Sequence, residues 1–357
     1  MAGGGTPDLD ERLTRLCREA IGAEVFPGCA VGYVRGGTTK VMGFGRQTYH
    51  NAAPLVTADT VYDVASVTKS IPTAMAALKL VEEGRLSLDD RVGQYLPQMA
   101  HPDRRGVLVR HLLTYTVVLD LAEGLSAVAK RDPERLLDVI LNAPLKAPPG
   151  ELYRYTNSPA VLLGLVVERV AGGPLDELAR SWFFEPLGMT STTFRPKPAA
   201  LGRTAPTELS EYGEVRGVPH DETAAVLLTQ DMIAGCAGLF STAGDLLRLA
   251  EMMLAGGALA GHRYFNPQTI ELMATNQLTD IGQAAGLGWE IDRPDVMGGA
   301  QRPGRLMKSG FTGCWIAIDP GASSALVLLS NRTYPQRPER GPFQAFLRGL
   351  NEAFFLA

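Results

Sequence analysis

The sequence has few cysteines and no metal-binding spacing. Its four cysteines (17, 29, 236 and 314) are far apart and form no Cys-x-x-Cys pair. Scattered thiols of this kind are more typical of buried free cysteines in a cytoplasmic protein than of disulfides. The five histidines form no His-x-x-x-His or His-Glu-x-x-His pattern, so we expect no metal site. No cofactor is expected either.

Long apolar runs and an export leader are also lacking. The longest runs, such as residues 160–167, fall well short of the ~20 residues that a helical bilayer span needs. Residues 1–10 are rich in glycine and end acidic, without the charged and apolar regions of a secretory signal. We therefore expect a cytoplasmic protein with no membrane partner.

Positive charge is not in excess. The formal net charge is -4, and no run of lysine and arginine offers a surface for phosphates, so we expect no nucleic-acid partner. Hydrophobic residues make up 45% and charged residues 20%, which is typical of a globular protein. The length fits one large compound domain over 1–357.

What is present is a pattern of strands near both ends of the chain with helices between them. A helix over 10–22 precedes a hairpin of strands 28–34 and 39–45, joined by a glycine pair. Three consecutive strands (305–310, 314–319 and 324–331) and a helix over 343–355 close the chain. The pattern predicts one sheet built from both ends, with an α/β part over about 1–80 and 281–357 and a mainly helical part over about 81–280.

Candidate chemistry begins at Ser66 and Lys69. We predict a helix over 66–83, bent by Pro72, which would bring both side chains to one face one turn apart. A lysine that has lost its proton can then activate the serine hydroxyl as a nucleophile. Roughly one Ser-x-x-Lys is expected by chance in a chain of this composition, so the pattern needs further support.

Two other motifs supply that support. Lys308-Ser309-Gly310 lies on the first C-terminal strand and is the only Lys-[Ser/Thr]-Gly in the chain. Tyr155 and Asn157 form a Tyr-x-Asn triplet that follows a Pro-Pro-Gly turn. Two other Tyr-x-Asn matches, 49–51 and 264–266, are disfavoured by context, because the first precedes the serine and the second lacks that turn.

With these motifs in order, the chain resembles the serine β-lactamase and penicillin-binding-protein superfamily, especially the class C-like branch of esterases, D-aminopeptidases and acyltransferases. The resemblance spans nearly the whole chain, and Ser-x-x-Lys is a known signature of such enzymes. The segments that carry it are 62–69 (YDVASVTK), 82–86 (EEGRL), 110–114 (RHLLT), 149–157, 162–164 (LLG), 185–189 (EPLGM), 238–243 (GLFSTA) and 308–313 (KSGFTG).

The resemblance implies a five-stranded antiparallel sheet flanked by helices, with a mainly helical region between its halves. Ser66 would form an acyl-enzyme, while Lys69 and Tyr155 share the proton transfers; which of them is the base stays open. Lys308 would stabilise a Tyr155 phenolate and help to orient substrate, and Asn157 would bind substrate or Lys69. Ser309 belongs to the substrate-binding set.

Further expectations concern the edges of the site. The backbone N–H groups of Ser66 and Phe311 would form the oxyanion hole. Trp315 is expected to border the cleft. Residues 220–221 are either a structural pair or part of the cleft wall.

Two departures from the family bear on the substrate. Many esterase-like relatives have histidine where this chain keeps Lys308, which favours a carboxylate-bearing substrate. Residues 114–118 read Thr-Tyr-Thr-Val-Val in place of Thr-His-Thr-Ser-Gly, so we expect an altered loop and transfer no substrate contact through it.

Three functions remain open. The first is a serine hydrolase that cleaves a small ester, amide or peptide, as an esterase or a β-lactamase-like amidase. The second is an acyltransferase or a D-amino-acid peptidase acting on a biosynthetic metabolite. The third is a binding protein of the same fold, which is disfavoured because a binder would not need all of Ser66, Lys69, Tyr155 and Lys308.

Overall fold

A computed structural model describes residues 8–357 of the chain. Its central feature is a five-stranded antiparallel sheet in the order β2-β1-β11-β10-β9, so strands from the two ends of the chain lie side by side. The predicted sheet built from both ends is confirmed. The strands are β1 (Gly28–Arg35), β2 (Thr38–Gly45), β3 (Tyr62–Asp63), β4 (Glu208–Ser210), β5 (Gly213–Val215), β6 (Phe240–Ser241), β7 (Ala258–Leu259), β8 (His262–Arg263), β9 (Leu306–Gly310), β10 (Cys314–Asp319) and β11 (Ser324–Ser330).

Helices cover both faces of this sheet and fill the middle of the chain. The α-helices are α1 (Leu9–Gly22), α2 (Met75–Glu82), α3 (Val109–Leu113), α4 (Leu125–Arg131), α5 (Leu136–Asn142), α6 (Ser158–Ala171), α7 (Leu175–Ala179), α8 (Glu185–Leu187), α9 (Glu222–Thr229), α10 (Ala243–Leu254), α11 (Pro267–Ala274), α12 (Pro294–Met297) and α13 (Gly341–Phe355). A short π-helical segment spans Arg180–Phe184, whereas the helical residues within Lys69–Ala74 are interrupted at Ile71.

The sheet separates two apolar cores. Every residue of β10 and β11 is buried, because helices pack on both faces. On one side α1 and α13 contribute side chains such as Leu13 and Leu350. On the other side the larger core joins the sheet to α2, α6 and α10. All four cysteines are free and buried within these cores, as predicted.

The β1–β2 hairpin shows why the sequence folds this way locally. Gly36 and Gly37 both have positive φ, at 59° and 75°. A two-residue hairpin turn that matches the twist of its strands requires positive φ at both residues. The turn sets the register that pairs Arg35 with Thr38 and Val31 with Met42.

The predicted continuous helix over 66–83 is wrong. Ile71 has strand-like dihedrals (φ -120°, ψ 108°) and interrupts the helix just before Pro72. A proline disfavours helical dihedrals at the residue before it and cannot donate a backbone hydrogen bond, so the bend expected at this site is a full break. The helical turn that carries Lys69 is therefore separate from α2.

The expectation that Trp315 borders the cleft is also wrong. Trp315 is fully buried in the α1–α13 core, where its Nε1 donates to Asn351 Oδ1 at 3.1 Å. Side chains alternate along β10, so Trp315 points to the same face as its partner Leu328, which belongs to the same core.

Among residues 8–357 we find no single helix that is both long and apolar enough to cross a bilayer. One helix pair, Ser158–Ala171 with Leu175–Leu187, meets the length and composition limits but is bent by 76°.

Gly310 offers a test of how tightly β9 packs on the segment that leads to Ser66. A Cβ at this position would lie 2.3 Å from the carbonyl oxygen of Val64, which is backbone and has little room to move. We expect Gly310→Ala to lower the free energy of unfolding by about 1–3 kcal/mol, measured by urea denaturation. Gly22→Ala at the end of α1, where nothing lies within 4 Å of the added Cβ, is the control and should not lower stability, because alanine favours the helix more than glycine does. Equal effects of the two substitutions would contradict the packing described.

Candidate active site

The segment before Ser66 is held in a strained conformation by Asp63. Ala65 has a φ of 46°, which is unfavourable for a residue with a Cβ. Asp63 compensates by accepting hydrogen bonds from the backbone N–H of Ala65 at 2.8 Å and of His220 at 2.7 Å. Burial raises the pKa of Asp63 to about 6, although these N–H groups favour its charged form. The sharp turn presents Ser66 at the start of the helical turn that carries Lys69.

Lys69 is buried and surrounded by three oxygen atoms. Its Nζ lies 2.9 Å from Ser66 Oγ, 2.8 Å from Asn157 Oδ1 and 2.8 Å from the carbonyl oxygen of Cys236. Burial lowers the pKa of Lys69, although Asp221 and Glu290 pull it upward from a distance. A neutral amine can donate to the amide and carbonyl oxygens, which leaves its lone pair for the Ser66 hydroxyl.

Asn157 is fixed in turn by the start of α9. Its Nδ2 donates to Asp221 Oδ2 at 2.9 Å and lies 3.4 Å from Thr223 Oγ1. Asp221 also accepts from the backbone N–H of Ala224 as the N-cap of α9. These contacts orient the Asn157 amide so that its oxygen faces Lys69. Sequence reasoning left the 220–221 pair open between structure and cleft; both residues line the cavity, and Asp221 supports the site through Asn157.

Lys308 lies fully buried on β9 against Tyr115. Its Nζ donates to Tyr115 Oη at 2.9 Å and lies 3.6 Å from Glu290 Oε1. Tyr115 is itself buried with a φ of 58°. Burial raises the pKa of Tyr115 far above its usual value, so this phenol keeps its proton.

Tyr155 lies between the two lysines. The centre of its ring is 5.3 Å from Lys69 Nζ, 4.6 Å from Lys308 Nζ and 4.9 Å from the ring centre of Tyr115. Although 39% of the residue is exposed to the cleft, burial of its hydroxyl end raises the pKa of Tyr155, and Lys308 only partly opposes this. The free protein therefore holds a phenol at Tyr155 at neutral pH.

The expected oxyanion donors are brought to one place. Neither the Ser66 nor the Phe311 backbone N–H has an internal acceptor in the described part of the chain, and both residues line the same cavity. The hydroxyl of Thr312 donates to the carbonyl oxygen of Asp63 at 2.7 Å, which ties the loop after β9 to the segment before Ser66. Two free N–H groups beside a nucleophile can stabilise a developing oxyanion.

Ser309 joins a charged network at one end of the cleft. Its Oγ lies 3.3 Å from Glu290 Oε1 and 3.2 Å from Arg293 Nη1. Arg293 also pairs with Glu290 and, at 2.9 Å, with Asp295. The positive charge at this end is thus largely compensated by carboxylates.

A cavity of about 570 Å³ connects these groups, and its volume suits a small organic substrate. The structure brings Ser66, Tyr155, Asn157, Ser309 and Phe311 to its walls. Lys69 and Lys308 lie directly behind them, whereas the expected Trp315 is absent from the lining.

Sequence reasoning missed Tyr115, Glu290 and the carbonyl of Cys236. Tyr115 stands in the segment where the chain departs from its relatives, and that departure was the available signal. Glu290 follows a buried tryptophan in no recognisable motif, and a backbone carbonyl leaves no trace in a sequence. These groups could be found only once the chain was folded.

Comparisons with known proteins identify the family of the chain. The family model for Beta-lactamase matches residues 13–348. A relative from Escherichia coli K12 bears the name "Putative D-alanyl-D-alanine carboxypeptidase" and is 31% identical over 317 residues, which covers 80% of this chain and 72% of the relative.

Solved structures show the same fold. EstCE1, described as a hydrolase with promiscuous acyltransferase activity, has a TM-score of 0.77 at 24% identity and covers 97% of this chain and 98% of its own. An octameric penicillin-binding protein homologue from Pyrococcus abyssi has a TM-score of 0.74 at 25% identity, covering 97% and 77%.

The fold and the Ser66–Lys69 site define a serine enzyme of the acyl-transfer type. The chain belongs to the β-lactamase family.

Asp221 offers a test of the electrostatics around Lys69. Lys69 must lose its proton to act as a base, so kcat/KM should fall as the pH drops through the pKa of Lys69, which burial places below its usual value. Asp221 raises that pKa, so Asp221→Asn should move the acidic limb of the pH profile of ester hydrolysis to lower pH.

The control is the exposed Asp280, whose change to Asn should leave the limb in place. If the acidic limb of Asp221→Asn stays in place or moves to higher pH, the limb does not reflect the protonation of Lys69.

Proposed function

We propose that this protein hydrolyses small esters or amides through an acyl-enzyme on Ser66. The observation that carries the proposal is the contact of 2.9 Å between Ser66 Oγ and the buried Lys69 Nζ. A serine hydroxyl needs such a base to become a nucleophile at neutral pH.

Lys69 is the general base of acylation in this mechanism. Its amine donates its two hydrogens to Asn157 and to the Cys236 carbonyl, and it accepts the proton of the Ser66 hydroxyl as Oγ bonds to the substrate carbonyl carbon. The substrate oxygen becomes an oxyanion, which the N–H groups of Ser66 and Phe311 stabilise. The contact of Lys69 Nζ with Ser66 Oγ supports assigning the base to Lys69, and so do the opposite directions of the pKa shifts, downward for the lysine and upward for Tyr155.

Tyr155 completes the proton transfers. As a phenol it donates a proton to the departing alkoxide or amine, and it regains one from the Lys69 ammonium. Lys308, 4.6 Å from the centre of the Tyr155 ring, stabilises the transient phenolate. Water then attacks the acyl carbon with Lys69 as base, and Ser66 leaves with its proton restored.

Transfer of the acyl group to another nucleophile, or cleavage of a D-amino-acid peptide, is the second candidate. It is supported by the names of two similar proteins, the carboxypeptidase relative of Escherichia coli and EstCE1 with its acyltransferase activity. The cleft is open to solvent at Tyr155, so an alcohol or amine can reach the acyl carbon as water does.

Covalent labelling at Ser66 tests the central claim. Exposure to 4-nitrophenyl acetate, nitrocefin or an acyl-D-alanyl-D-alanine peptide should add the mass of the acyl group to the intact protein, because the acyl-enzyme forms before water attacks. Ser66→Ala should remove the adduct and lower kcat by at least about a thousandfold.

The matched control is Ser126→Ala, because Ser126 lines the same cavity, whereas the serine that contacts Lys69 is Ser66. It should keep both adduct and turnover, while both variants melt close to the wild type. Turnover that survives in Ser66→Ala would overturn the proposal. An absence of any adduct in a folded wild type would favour the binding protein.

The two phenols can be separated by a second pair of variants. Tyr155→Phe removes the proton donor and should lower kcat by about a hundredfold or more. Tyr115→Phe removes only a contact to Lys308 and should lower kcat much less. Rates of 4-nitrophenyl acetate and alkyl ester hydrolysis give the comparison. A larger loss of kcat in Tyr115→Phe than in Tyr155→Phe would show that Tyr115, and not Tyr155, donates the proton.

A further inference from the structure

One residue of the 220–221 pair has no part in the mechanism described so far. Asp221 supports Lys69 through Asn157, whereas His220 has been assigned no role. Only 7% of His220 is exposed, and the residue lines the cavity that contains Ser66. Its contacts at the wall of the cleft indicate what it does there.

The backbone of His220 is fixed by Asp63, the residue that also holds the turn before Ser66. The N–H of His220 donates to Asp63 Oδ2 at 2.7 Å, while Asp63 Oδ1 accepts the N–H of Ala65 at 2.8 Å. One buried carboxylate therefore sets the position of His220 relative to the residue that directly precedes the Ser66 N–H.

The imidazole of His220 stacks on the ring of Phe311. The two ring centres are 5.8 Å apart, and the ring planes differ by 23°. The imidazole Nε2 lies 3.0 Å from Glu208 Oε1 but is not aligned for a hydrogen bond with it. Stacked rings favour particular mutual orientations, so the contact restrains the Phe311 side chain.

The residue after Phe311 leads back to Asp63. The hydroxyl of Thr312, which is fully buried, donates to the carbonyl oxygen of Asp63 at 2.7 Å. Asp63, His220, Phe311 and Thr312 thus form a closed circuit of contacts. The two expected oxyanion donors, the N–H groups of Ser66 and Phe311, are fixed relative to each other through Asp63, once by Thr312 and once by the His220 ring.

We propose that His220 is a positioning residue of the oxyanion hole, whose ring holds Phe311 so that the Phe311 N–H points at the developing oxyanion. The inference rests on the proposed function, because an oxyanion forms only if Ser66 attacks a carbonyl. In this role His220 acts through Phe311 and not on the substrate. A misplacement of about 1 Å in an active site can cost about a hundredfold in rate, so even a small shift of this donor should be measurable.

Substitution of His220 tests the proposal with two readouts. The first is kcat/KM for 4-nitrophenyl acetate. The second is the inhibition constant of phenylboronic acid, which bonds to Ser66 Oγ as a tetrahedral anion with an oxygen in the oxyanion hole. In His220→Ala we expect kcat/KM to fall about tenfold and the inhibition constant to rise about tenfold, less than the loss of a whole donor would cause. A merely structural role would lower the active fraction, and with it kcat, but would leave the inhibition constant unchanged.

His220→Phe is the conservative variant. It restores a flat ring against Phe311 and keeps the backbone N–H that donates to Asp63, so both constants should return to within about threefold of the wild type.

The matched control is His262→Ala. His262 is exposed on β8, and its ring contacts Tyr264 with the ring centres 4.4 Å apart, outside the lining of the cleft. The substitution also removes an aromatic contact of a histidine, and it should leave both constants unchanged.

Phe311→Ala breaks the same contact from the other side and does not depend on how His220→Ala folds. It removes the ring but keeps the N–H, so the inhibition constant of phenylboronic acid should again rise about tenfold. The double variant with His220→Ala should be no worse than Phe311→Ala alone, because both substitutions remove one shared contact.

Three results would overturn the role of His220. They are an unchanged inhibition constant in His220→Ala or in Phe311→Ala, a loss in His220→Phe as large as in His220→Ala, and fully additive losses in the double variant. A wild type that neither turns over the ester nor binds the boronate would instead reject the proposed function, and the role of His220 would be rejected with it.

Discussion

The buried amine of Lys69 is the constraint on which the site depends. A charged ammonium in this position would be costly, and no carboxylate of residues 8–357 lies in direct contact with it. The chain instead surrounds the nitrogen with a hydroxyl, an amide oxygen and a backbone carbonyl, which a neutral amine satisfies. Those oxygens come from Ser66, from Asn157 at the start of α6 and from Cys236 before β6. Holding one lysine as a base therefore requires three distant segments to meet.

The need to bring distant segments together at the site also explains why the sheet is built from both ends of the chain. β9 carries Lys308 and leads to Phe311, whereas the Ser66 segment follows the N-terminal hairpin by only some twenty residues. Close packing of Gly310 on Val64 and the hydrogen bond from Thr312 to Asp63 lock the two parts together. The cleft then lies where the sheet edge meets the helical region, and its two ends differ in charge balance. Carboxylates neutralise the Arg293 end, while none of the carboxylates in the described part of the chain pairs with Arg332.

Many of the strand and helix boundaries could be predicted from the sequence. Strands with alternating or continuous apolar residues and a glycine turn gave correct boundaries for the hairpin and for β9, β10 and β11 to within a residue or two. The helix break at Ile71 was underestimated, because a proline alone does not reveal how far the residue before it will turn. The prediction for Trp315 was wrong because it relied on the distance of this residue from Phe311 along the chain. The face of the sheet on which a side chain lies depends instead on its position in the strand, which places Trp315 opposite Leu328.

By itself the sequence determined the family, the nucleophile and the spacing that places a lysine beside it, because i and i+3 neighbours on a helical turn are fixed by local geometry. Only the tertiary structure decided that the carbonyl of Cys236 joins Ser66 and Asn157 around that lysine, and how the ring of Tyr155 lies relative to Lys69 and Lys308. It also decided that Tyr115 contacts Lys308, that Trp315 lies in the core, and that Arg332 is buried with no hydrogen-bond partner for its Nη1 among the described residues. These outcomes depend on contacts between residues far apart in the chain, and burial, charge balance and pKa are properties of such contacts rather than of any segment alone.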